Sequence, residues 1–104
     1  MRKWTKENFE KHHQENPHIY AMFCRFALQA AAVREYYSAK IIFHRMRWHT
    51  EIEERKSAYK IDDGWISHYA RLFMKDYPEH EGFFELRVRV NGYHDEDSED
   101  DLLD

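Results

Sequence analysis

Between residues 64 and 77, His68, Arg71 and Lys75 recur at spacings of three and four, which on a helix puts them on one face with Ser67 beside them. Cations spaced in this way can track phosphates, and short polar side chains on the same helix can reach base edges in a major groove. Lys40, His44 and Arg47 repeat the spacing in residues 38–54, while Arg87 and Arg89 alternate along one side of a strand pattern. The candidate nucleic-acid-binding set is therefore Lys40, Arg47, Ser67, His68, Arg71, Lys75, Arg87 and Arg89. The competing explanation is plain solvation, since any amphipathic helix of a soluble protein carries a charged outer face.

Other chemistries find less support. The eight histidines are badly spaced for a metal: His12 and His13 are adjacent and diverge, and His44 and His49 stand five apart, off a common helical face. There is no His-Glu-x-x-His pair and no pair of cysteines. Cys24 is alone among Met22, Phe23 and Phe26, which predicts a buried, unreactive thiol without a disulfide. Asp62 and Asp63 read as helix caps rather than as an acid and a base. Three glycines do not make a phosphate-cradling loop. We expect no catalytic centre, no cofactor and no metal, and hence a protein that is not an enzyme.

The elements that must position these residues are mostly helical. Thr5 caps a polar helix to residue 15, anchored by Trp4 and Phe9. Asn16-Pro17 opens a second helix in which Ile19, Met22, Phe23, Phe26, Ala27, Ala30 and Val33 keep helical spacing. Ser38 caps a third, running to about residue 54, with Ile41, Ile42, Trp48, His49 and Ile52 as expected inward positions. Residues 58–61 suggest a short strand, and Asp62-Asp63 leads into a fourth helix over 64–77 with Trp65, Ile66, Tyr69, Leu72, Phe73 and Tyr77 inward, stopped by Pro78. Residues 84–90 alternate Phe84, Leu86, Val88 and Val90 with Glu85, Arg87 and Arg89, the pattern of a half-buried strand. The expected fold is a mainly α, four-helix small domain with a short two-stranded antiparallel sheet, like a winged helix-turn-helix, spanning residues 1–94.

The 104 residues carry a net charge of -4, unevenly spread. All 16 Lys and Arg lie in residues 1–94 against 13 acids, while residues 95–104 hold seven acids and no base: Asp95, Glu96, Asp97, Glu99, Asp100, Asp101 and Asp104. The body is thus mildly basic and the tail an acidic, disordered extension. Neither a signal peptide nor a membrane span is apparent, so a cytoplasmic protein with no membrane partner is expected.

The blocks Tyr37-Ser38-Ala39-Lys40, Ile42-Phe43-His44, Arg47-Trp48, the run from Tyr59 to Arg71, and Gly82-Phe83-Phe84 resemble small winged-helix-like phage and prophage proteins of uncharacterised function. The likeness covers about residues 17–90 and assigns no site. It implies a mobile-element setting, in which such chains act as DNA-binding regulators or as inhibitors of host defence enzymes. The acidic tail departs from a plain DNA-binding module. Two functions are therefore carried forward. One is a nucleic-acid-binding regulator that uses the basic face of helix 64–77. The other is a non-enzymatic interaction protein that docks on a host protein, through Asp95, Glu96, Asp97, Glu99, Asp100 and Asp101 among others. A homodimer is compatible with either.

Overall fold

The computed structural model describes residues 3–84. Four α-helices follow one another: α1 (Lys6–Glu15), α2 (Pro17–Ala31), α3 (Ala39–Trp48) and α4 (Ile66–Asp76). A π-helical turn, His49–Glu53, continues α3, and 3-10 turns at Asp63–Trp65 and Pro78–His80 bracket α4.

Local chemistry sets the boundaries. Thr5 Oγ1 accepts from the Asn8 amide at 3.0 Å and caps α1. Asn16 closes α1, its amide donating to His12 O and His13 O, and Pro17 begins α2 where a missing N–H leaves no bond unmade. Ser38 Oγ caps α3 by accepting from the Ile41 amide. The π turn is held by a cluster of charges: His49 Nδ1 lies 2.6 Å from Glu53, its Nε2 3.2 Å from Glu54, and Arg45 reaches Glu53 at 3.5 Å. The hydrogen bond from His49 holds the Glu53 carboxyl below the usual carboxylate range. Arg55, at φ 59°, takes the left-handed conformation that commonly ends a helix.

The core is aromatic. Phe23, Phe43, Tyr69, Phe73 and Phe84 are completely or almost completely buried, with Phe9, Phe26, Trp65 and Phe83 close behind. α4 runs through the middle, burying Ile66, Ser67, Tyr69, Ala70 and Phe73. α2 and α3 both pack on it, and α1 lies across its start.

The expected two-stranded antiparallel sheet and winged helix-turn-helix are not what forms. Among the described residues there is no strand, only an isolated parallel bridge between Tyr37 and Phe84. Residues 58–61 make a turn closed by the Ile61 amide on Ala58 O, because Ala58 and Ile61 go inward three residues apart while Tyr59 and Lys60 stay out. The strand expected over 84–90 lies, beyond Phe84, outside the described residues, as does the acidic tail. The third helix also differs from expectation. Its inward positions are Ala39, Ile42, Phe43, Met46 and Thr50, whereas Ile41, Trp48 and Ile52 are 47%, 55% and 54% exposed.

This register has a measurable consequence. Phe26→Ala removes a buried ring and is expected to cost about 3–5 kcal/mol, whereas Trp48→Ala, at an exposed position, stays within about 0.5 kcal/mol. Chemical denaturation of both variants in dilute, monomeric solution checks the pair, and a large loss there for Trp48→Ala would place that indole inward after all.

Candidate nucleic-acid interface

The basic stripe expected on the fourth helix is broken up by packing. Ser67 is 2% exposed and faces the core. His68 is half-buried, its Nε2 donating to Trp4 O at 2.8 Å and its ring stacked on Phe9 at 5.0 Å. The cause is α1 and the residues before it, which cover the flank of α4 that holds Trp65 and His68. Arg71 is half-buried and Lys75 exposed, further along the same helix.

Arg47 is also committed to structure. Its Nη1 donates to Ile61 O at 2.9 Å and to Asp63 Oδ1 at 2.7 Å, tying the loop before α4 to α3. Lys40 is exposed at the start of α3. Arg87, Arg89 and the acidic residues Asp95, Glu96, Asp97, Glu99, Asp100 and Asp101 lie outside the described residues. The structure therefore does not gather the predicted set into one surface.

What it does gather is a groove of about 390 Å³ between α1 and the loop 58–62. Lys3, Lys11 and Lys60 supply cations, Trp4, Tyr59 and Trp65 supply aromatic surface, and Asn8, His12, Asn16, Glu15 and Asp62 complete the lining. Each wall is built from local rules. The Trp4 ring meets Trp65 edge-on at 4.7 Å and lies directly over Gly64, where an added Cβ would come within 2.2 Å of it. Only glycine allows that approach. Asp62 Oδ1 accepts from the Gly64 amide at 3.0 Å, so this carboxylate is occupied as a cap. Asn16, buried, donates from Nδ2 to His12 O and accepts from Lys60 Nζ at 3.3 Å, which fixes that lysine at the rim. Tyr59 is 74% exposed, with Lys60 Nζ 5.6 Å from its ring.

His12 stacks on Trp65 at 4.9 Å, and burial, reinforced by Lys60 and His13, pushes its pKa below the usual histidine value. Its neutral form is favoured in the fold. Elsewhere, burial pushes the Cys24 thiol up, which keeps it protonated and unreactive. Among the described residues no three His, Cys, Asp or Glu side chains cluster as metal ligands would, and no helix is long and apolar enough to cross a membrane. No family model, curated protein or solved structure matches the chain.

Sequence reasoning misses this groove because it uses Trp4 only as an apolar anchor and suggests a strand over residues 58–61. The available signal is the pairing of cation with ring at Lys3-Trp4 and Tyr59-Lys60, in stretches that no apolar stripe claims.

Two outcomes follow. Gly64→Ala forces the Trp4 indole off its seat, so Trp fluorescence should shift toward the red as that ring becomes wetted; an unchanged spectrum would mean the indole is not held there. The depressed pKa of His12 makes the unfolded chain bind its proton first. Stability is thus complete above the unfolded value near 6.5 and declines as pH falls from there toward the lower folded value. The drop in melting temperature between pH about 7.5 and about 5.5 should accordingly be smaller in His12→Gln than in the parent.

Proposed function

We propose that this chain is a non-enzymatic nucleic-acid-binding protein, and that it holds an unpaired stretch of nucleic acid in the groove between α1 and the loop 58–62. The observation that carries the reading is the convergence of Lys3, Lys11 and Lys60 with the rings of Trp4 and Tyr59 on one open groove. Bases stack on aromatic rings while cations follow the backbone, and that combination suits single strands irrespective of sequence. A duplex laid on α4 is less well supported, since two of its expected contacts, Ser67 and His68, are turned toward the protein.

A mobile-element regulator remains compatible with this chemistry. So does the rival role of a host-protein ligand, which rests on the seven acids of residues 95–104. Those acids also bear on binding, because a polyanionic extension competes with phosphate for the groove lysines, most strongly at low salt.

Fluorescence anisotropy with a labelled single-stranded oligonucleotide tests the proposal. Tyr59→Ala should weaken binding by about 1–3 kcal/mol. Lys11→Ala with Lys60→Ala should flatten the logarithmic salt dependence by about 0.7 for each phosphate that is no longer neutralised. Arg71→Ala with Lys75→Ala should leave both unchanged. Weakening by the Arg71 and Lys75 pair alone would move the interface back to α4. Deleting residues 95–104 should tighten oligonucleotide binding. If it instead leaves that binding unaltered and abolishes capture of a basic protein partner, the host-protein role is favoured.

A further inference from the structure

The side of α3 that faces away from the core carries Ile41, Trp48 and Ile52, each about half exposed. Single apolar side chains at a surface need no explanation. These three line up along one helix face, from the first turn of α3 into the π turn, over roughly 16 Å at the usual helical rise. Charge on the exposed side reverses along the same length. Lys40 stands at its start and Glu51 at its end, both exposed, whereas Glu53 and Glu54 are already paired within the chain to Arg45 and His49.

We propose that this face docks a second copy of the chain, with the two α3 helices antiparallel about a two-fold axis. A two-fold interface sets residue i of one copy against residue j of the other and j against i, so one patch must complement itself. This patch does so only when the helices run in opposite directions. Ile41 then comes opposite Ile52 of the second copy, Trp48 lies near the axis, and the basic end of each helix meets the acidic end of the other. The helix dipoles oppose each other as well. A parallel pair would set Glu51 against Glu51 and Lys40 against Lys40. A nucleic acid along the same face would meet three glutamates over half its length. The groove lysines and rings belong to α1 and the loop 58–62, so pairing of the chains and binding of an oligonucleotide succeed or fail separately.

Sedimentation equilibrium of the full chain over a concentration series tests the arrangement. The parent protein should pass from monomer to dimer mass as concentration rises. Trp48→Glu should weaken dimerisation by roughly tenfold or more, as removal of a central Trp anchor does, with its melting temperature unchanged at concentrations where the parent is monomeric, because the position is exposed in the single chain. Lys40→Glu and Glu51→Lys should each weaken the dimer, and the two together should restore it. A parent protein that stays monomeric throughout, or a Trp48→Glu variant that dimerises as well as the parent, overturns the docking face. Failure of the double exchange to recover the dimer that each single exchange weakens overturns the antiparallel arrangement, and it decides the matter even if Trp48→Glu fails to fold.

Discussion

The ring of Tyr69 is where the helices meet. It stands edge-on to Phe9 of α1 at 4.8 Å, stacks against Tyr20 of α2 at 6.0 Å, and lies 5.9 Å from Phe23 of α2 and 5.8 Å from Phe43 of α3. A small chain has little interior, and one large ring shared by three neighbouring helices buries more surface per residue than aliphatic side chains in the same number would. The position comes at a cost, because the Tyr69 hydroxyl is buried with no hydrogen-bond partner among the described residues and burial pushes its pKa upward. The neighbouring cluster resolves the same problem differently: Tyr20 donates its hydroxyl to Asp76 Oδ2 at 2.7 Å at the far end of α4.

That dependence on α4 as the central element governs what is left for function. A helix enclosed by partners on several sides cannot also offer a long outer face to a ligand. Ser67 and His68 follow Tyr69 into the packing, and the cations of the expected stripe are reduced to Arg71 and Lys75. Ligand chemistry passes instead to the periphery, where α1 and the loop 58–62 meet imperfectly and leave a groove. Arg47 belongs to the same logic. Its two bonds to the loop 61–63 hold one wall in place, so a residue with the charge of a phosphate contact acts as a strut.

α3 shows the complementary case. It carries two apolar stripes, one through Ala39, Ile42, Phe43 and Met46 and one through Ile41, Trp48 and Ile52. Among the described residues only the first is covered. The π turn prolongs the helix past Trp48 and keeps Ile52 in line with that second stripe, while its exposed Glu51 carries the charge opposite to that of Lys40. An apolar line with opposite charges at its two ends is specific about what it can adjoin, which bare hydrophobicity is not.

The sequence alone determined the four helices and most of their starts, but not the ends of α2 and α3, which stop at Ala31 and Trp48 short of the expected Val33 and residue 54. Thr5, Ser38 and Asp62 have side chains that satisfy otherwise unpaired amides, Pro17 and Pro78 fix where helical hydrogen bonding can start and stop, and the phases of Phe23, Phe26, Tyr69 and Phe73 place those rings inward. Such signals act within about one turn of chain, so they are legible without knowing the fold. The tertiary structure decided which stripe of α3 would be covered, that His68 would close on Trp4, and that residues 58–61 would be a turn rather than a strand. Periodicity defines a face but not the neighbour laid against it. The candidate groove lies at the far end of that scale, for it joins Lys3 and Trp4 to Tyr59 and Lys60, residues brought together only when α1 packs across the start of α4.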